Sequence, residues 1–296
     1  MMVRNKIPGW VALLAAALIA SPVGAAPRGP ANRVVAEMPM LFRGTSPAVN
    51  VTVNGKGPFL FLIDTGGQGK ARADVSLVGQ LGIAPVAHAV SGDGSGRNNR
   101  RLDVVELDRL NVGGVEFRHV PALSREYNRS AKLPPIAGIL GYNLFDGYLL
   151  TLDFIARRVR LERGALPPAD GKTVLDYESP YDTPIVEMTM GGLRLVADVD
   201  SGDIGGITFP QALAQALPHI GDPRVVGTGR TISNEFQVSE VKLRGNLRIG
   251  EHELTDPVVR FNAVHDNINL GAAFLADYVV TFDQKNRRVR IVGRPE

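Results

Sequence analysis

Apart from one stretch near the start, hydrophobic positions in this chain come in short runs. "NVTV" (50–53), "FLFLI" (59–63), "DVVEL" (103–107), "YLLTLDF" (148–154) and "RVRLE" (158–162) are rich in Val, Leu and Phe and are separated by Gly, Asn or Pro. Such runs, bounded by turn residues and lacking the spacing of an amphipathic helix, predict strands. Two stretches carry helical spacing instead: "ADVSLVGQLG" (73–82) and "FPQALAQALPH" (209–219), the second with Pro210 suited to a first helical turn. The chain is expected to be mostly β with two short helices.

The exception is the amino terminus. Arg4 and Lys6 precede the apolar run "WVALLAAALIA" (10–20), and Val23, Gly24 and Ala25 supply the small residues that signal peptidase requires. The run is shorter than the roughly 20 residues a membrane span needs. Residues 1–25 are therefore expected to be a removed signal peptide, which sends the mature chain to the periplasm or outside the cell and leaves it no stable membrane span. The sequence has no Cys, so neither a disulfide nor a lipidated thiol is available. Removing residues 1–25 takes two of the 33 basic residues and none of the 30 acidic ones, leaving 31 − 30 = +1. That balance predicts no nucleic-acid surface.

The remaining chain reads as two copies of one unit. "GYNLFDGYLLTLDFIARRVRLE" from Gly141 aligns without a gap on "GAAFLADYVVTFDQKNRRVRIV" from Gly271, an offset of 271 − 141 = 130. "LNVGGVEF" (110–117) matches "LRIGEHEL" (247–254) as a hairpin, and the Gly-rich "SGDG" from Ser91 lies opposite "VGTG" from Val226. "IDTGG" from Ile63 lies opposite "VDSGD" from Val199 at 199 − 63 = 136, each after a strand–turn–strand pattern. The join falls in the Pro- and Gly-bearing "RGALPPADGK" (163–172). Two units are expected, over residues 34–165 and 170–296.

In each copy an apolar strand ends in Asp-Thr/Ser-Gly. An Asp so placed is fixed by the core beneath it, the hydroxyl of Thr65 or Ser201 is free to hold the loop, and Gly66 or Gly202 lets backbone approach the carboxylate. Three common residue types in a row are weak evidence, but two such triplets in matching frames are strong. Here the sequence resembles the retropepsin-like and pepsin-like aspartic proteases. "IDTG" (63–66) and "VDSG" (199–202) resemble the two catalytic triplets, and "ILGYNLF" (139–145) is similar to the hydrophobic-hydrophobic-Gly motif; in "INLGAAFL" (268–275) Asn269 stands where a second apolar residue is usual.

The resemblance implies a two-lobed all-β acid-protease fold with a pseudo-twofold axis, each lobe retropepsin-like. It implies an aspartic endopeptidase with Asp64 and Asp200 as a dyad that activates water on a peptide or protein substrate, without metal or organic cofactor. Thr65, Gly66, Ser201 and Gly202 would support the dyad loops, and one chain would supply a complete site as a monomer. The Gly-rich loops, with Gly92, Gly94 and Gly96 in the first copy and Gly227 and Gly229 in the second, occupy the place of flaps. A different class of function also fits: a peptide- or protein-binding module that keeps the fold without turnover.

The chain also departs from the family pattern around the triplets: Gly67 stands where Ala or Ser is usual, and Asp198 and Asp203 flank the second triplet. On a strand Asp198 points to the same side as Asp200, so three carboxylates would crowd one loop. Such crowding would raise the dyad pKa, bind a cation, or mark a second lobe that no longer catalyses. Asp153 and Asp283 match across the copies but sit in hairpins and read as structural. The five histidines follow no metal-binding or triad spacing and read as surface residues.

Overall fold

The computed structural model describes residues 32–92, 99–129, 133–231, 235–264 and 266–294; the expected signal peptide, Gly94, Gly96 and His265 lie outside them. Residues 32–294 form one compact unit in which strands dominate and the helical pieces are short, as the run lengths predict. The fold is all-β, arranged in two sheets.

The same local topology appears at both triplets. In the first copy, strand Lys56–Asp64 runs parallel to Gly138–Gly141, with Asp64 opposite Gly141, and Ala71–Asp74 lies antiparallel on the other side of Gly138–Gly141. In the second, Leu193–Asp200 runs parallel to Ile268–Gly271, with Asp200 opposite Gly271, and Ile207–Pro210 lies antiparallel beside it. The chain thus leaves one strand through the Asp loop and returns two strands away, so the short inserted strand Gly138–Gly141 or Ile268–Gly271 pins the loop. Tyr142 N–H donates to Gly67 O at 3.2 Å, and Ala272 N–H donates to Asp203 O at 2.7 Å, closing each loop from below.

The loops stand on apolar strand ends. Phe61, Ile63 and Val199 are fully buried and belong to one apolar core with Leu107, Leu110, Leu140, Phe209, Phe261 and Leu270. Leu62, on the other face, packs with Ala48, Ile136 and Ile139, which is why three consecutive apolar residues precede Asp64. Burying each of these large side chains contributes about 1.5–3 kcal/mol, so the backbone position of both aspartates is set by the core.

The long repeat pair builds a six-stranded layer that unites the two copies, in the order Arg33–Pro39, Arg158–Arg163, Leu149–Asp153, Tyr278–Asp283, Arg288–Gly293, Val174–Glu178. Its central pair is Leu149–Asp153 on Tyr278–Asp283, with Thr151 directly opposite Thr281. These residues are repeat equivalents, 281 − 151 = 130, and their hydroxyls share a hydrogen bond of 3.0 Å. A residue paired with its own equivalent marks a local twofold axis. Asp153 and Asp283 are structural, as expected, and hold backbone: Asp153 accepts from Ala156 N–H, and Asp283 from Leu166 and Asn286 N–H.

Only one of the two expected helices forms as a full helix. Val75–Leu81 starts at Asp74, whose carboxylate accepts from Ser76 N–H at 2.9 Å, and ends at Gly82 in the left-handed region (φ 65°). In the second copy the helical piece shrinks to the 3-10 turn Gln211–Leu213. The position equivalent to Asp74 is Pro210, 74 + 136, which has no side-chain oxygen for the first amides, and the helix does not propagate. Among the described residues no helix is long and apolar enough to cross a membrane.

Candidate active site

The two Asp-Thr/Ser-Gly loops meet. Thr65 and Ser201 are fully buried and exchange four hydrogen bonds across the local twofold. Thr65 N–H donates to Ser201 Oγ at 3.1 Å and Ser201 N–H to Thr65 Oγ1 at 2.9 Å. Thr65 Oγ1 donates to Val199 O at 2.6 Å and Ser201 Oγ to Ile63 O at 2.7 Å. Each hydroxyl therefore accepts from the opposite loop and donates to the opposite strand end, which fixes the separation of the residues beside them.

Those neighbours are Asp64 and Asp200, whose carboxyl groups lie close enough for the charge of one to act on the other. Each lies over the other loop's glycine. A Cβ on Gly66 would stand 2.6 Å from both oxygens of Asp200, and one on Gly202 would stand 3.0 Å from Asp64 Oδ2 and closer still to Oδ1. Any side chain at either position would push the carboxylates apart, so the glycines are required by the closeness of the pair. Asp200 Oδ1 accepts from Gly202 N–H at 2.8 Å and Asp203 N–H at 3.2 Å, and Oδ2 accepts from Asn269 Nδ2 at 3.0 Å. Asp64 Oδ2 accepts from a guanidinium, Arg72 Nη1, at 3.2 Å.

The electrostatics follow from this geometry. Burial, and then the charge of Asp200, push the Asp64 pKa up from 3.8 to about 7; Arg72 opposes the rise. Two carboxylates this close cannot both ionise cheaply, and Asp64 holds its proton across the mildly acidic range.

Asp198 and Asp203, which the sequence places beside the dyad, have partners elsewhere. Asp198 accepts from Thr183 Oγ1 and Asn267 Nδ2, both at 3.2 Å. Asp203 Oδ1 accepts from Gly205 N–H at 2.8 Å in a turn that shapes the loop.

The hairpins expected as flaps are present as long ribbons, Pro85–Ser91 with Arg100–Val112 and His219–Arg230 with Glu235–Leu243. Gly92 follows the first strand, where its carbonyl accepts from Arg125 Nη1 at 2.7 Å. Gly227 and Gly229 lie within the arm of the second ribbon, opposite Val238 and Phe236. The Phe236 ring covers Gly229 so closely that a Cβ there would meet it. Packing under an aromatic ring, rather than bending at a tip, explains this glycine.

Arg72 and Asn269 are the functional neighbours that the triplets alone do not reveal. Among the described residues, the one His-carboxylate group compact enough for a metal ion is Glu106, Asp108 and His119, on the paired strands Arg100–Val112 and Val115–Arg125. No residue of the dyad loops belongs to it.

The hydroxyl exchange makes a direct prediction. Thr65→Val keeps the shape but orphans Ser201 N–H and Val199 O, each at a cost of about 1–3 kcal/mol. Urea unfolding should show a loss of roughly 2–5 kcal/mol, whereas Thr65→Ser should stay within about 1 kcal/mol of the parent.

Residues 49–144 match a family model described as aspartyl protease. The matched segment includes the first triplet, Arg72 and the strand Gly138–Gly141. No curated protein matches the chain.

Proposed function

We propose that the protein is an aspartic endopeptidase using Asp64 and Asp200, on the premise that residues 49–144 match a family model described as aspartyl protease. The reading rests above all on one observation: two carboxyl groups, each lying over the other loop's glycine and each presented by a loop locked by the Thr65–Ser201 exchange. The segments 34–165 and 170–296 then serve as two lobes, each giving half of the site, and a single chain suffices.

A water bound between the carboxyls loses a proton to the ionised one as its oxygen attacks the peptide carbonyl carbon, while the protonated carboxyl donates to the carbonyl oxygen. The gem-diol collapses when the pair gives its proton to the amide nitrogen and takes one from a gem-diol hydroxyl as the C–N bond breaks, which leaves one shared proton on the pair again. Acid–base catalysis of this kind contributes about 10²–10⁴-fold to the rate. An extended peptide suits the cleft between the ribbons and the dyad, since it adds backbone hydrogen bonds along its length. With residues 1–25 as an export signal, the activity belongs to the periplasm or the space outside the cell.

The second reading, a peptide-binding module without turnover, is favoured by the Arg72 ion pair, which clamps one member of the dyad. Incubating the mature chain with a mixed peptide library between about pH 4 and 8, with cleavage read by mass spectrometry, separates the two. Internal cuts blocked by a hydroxyl-bearing peptide isostere support the endopeptidase; intact peptides retained by the protein support the module.

A further inference from the structure

Arg72 lies on Ala71–Asp74 between Ala71 and Ala73, both buried against the core. Strand alternation turns its side chain to the opposite face, beside Asp64. The approach is possible because residue 67 is Gly: a Cβ there would lie 2.6 Å from Asp64 Oδ2 and closer still to Arg72 Nη1. The side chain is 21% exposed, and among the described residues Asp64 is its one hydrogen-bond partner. A guanidinium carries five N–H donors, so four remain. They are not sealed in: the buried side-chain polar atoms without partners are Asn269 Oδ1 and Arg288 Nε.

The second copy has no such cation. The position equivalent to Arg72 is Thr208, 72 + 136, a buried neutral residue opposite Asn269. The two sides of the dyad therefore differ in charge. Tyr127 feels the charges of both Arg72 and Asp64 and packs with Leu62 and Ile139, which gives the cationic side an apolar wall.

Resting on the endopeptidase reading, we propose that Arg72 is a specificity-determining residue: the site selects peptides with an Asp or Glu side chain close to the scissile bond on the first-copy side. The planar fork bridges two carboxylates, one from Asp64 and one from the substrate. A singly protonated dyad with Arg72 is neutral overall, so an incoming carboxylate meets a cation instead of a net negative site. A Lys side chain in the same position meets the guanidinium and is rejected.

The test uses one host peptide with Asp, Asn, Leu or Lys at each of the three positions on either side of the cut, and the same series with a reduced, uncleavable peptide bond. At one position the Asp peptide should exceed its Asn isostere by about 10–100-fold in kcat/KM, carried by KM, and by a similar factor in calorimetric affinity of the uncleavable series. Arg72→Leu should bring that ratio close to one, Arg72→Lys should keep part of it, and Arg72→Glu should favour the Lys peptide. An Asp-to-Asn ratio near one in the parent, or one that Arg72→Leu leaves unchanged, overturns the proposal. If no peptide is cut, the endopeptidase reading fails, and affinities of the uncleavable series still decide the role of Arg72.

Discussion

Asp200→Asn and Asp64→Asn should each lower kcat on any peptide the parent cleaves by about 10²–10⁴-fold, with the chain still folded. In Asp200→Asn the new amide oxygen can take over the Gly202 and Asp203 N–H groups that Asp200 Oδ1 now accepts, so the loop keeps its shape while the charge is lost. Asp64, freed of a like charge, then pairs with Arg72 as an ordinary ionised carboxylate and has no proton to give to the carbonyl oxygen. Above about pH 7, where Asp64 is ionised, Asp64→Asn takes the anionic partner away from Arg72, so there it should be the less stable of the two in urea. Purified variants compared at matched folded fraction check this. Retention of more than about a tenth of the parent rate by either one rules out the dyad.

The contrast between these aspartates shows what is legible in the sequence. Asp64 and Asp200 can be found because an offset of 136 aligns whole segments, and the Thr65–Ser201 exchange follows from placing equivalent hydroxyls across an axis. Pairing of Thr151 with Thr281 belongs to the same symmetry and is implicit in the offset of 130. What breaks the symmetry is harder to read. Arg72 is one polar residue on an alternating strand, and only the facing partners reveal that it reaches Asp64; the sole trace in the sequence is that residue 67 is Gly. Strand parity makes Asp198 a neighbour of the dyad, yet Thr183 and Asn267, distant in sequence, engage its carboxylate. The expected second helix fails at a single capping position, Pro210, which helical spacing does not register. Glycine content suggests a flexible loop at Gly229, but the environment of that residue depends on the strand partner Phe236.

The second large effect concerns pH. The proposed mechanism needs one proton on the pair, and burial together with the charge of Asp200 pushes Asp64 up to about 7, so kcat/KM should fall as pH rises through about 7 and Asp64 ionises. The groups that face Asp64 are Asp200, Arg72 and, at longer range, Tyr127. Of these, Arg72 stabilises the ionised form. Arg72→Leu should therefore move the alkaline limb above about 7. Stability changes in the same window. The fold keeps a proton on Asp64 that the unfolded chain loses near 4, so folding stability should decline as pH rises from about 4 to about 7 and then level off. Asp200→Asn removes the like charge and should flatten that decline. Melting temperatures at about pH 5 and pH 8, set beside the kinetic profiles of parent and Arg72→Leu, test both signs. An alkaline limb that stays fixed in Arg72→Leu would show that the guanidinium does not act on the titrating pair.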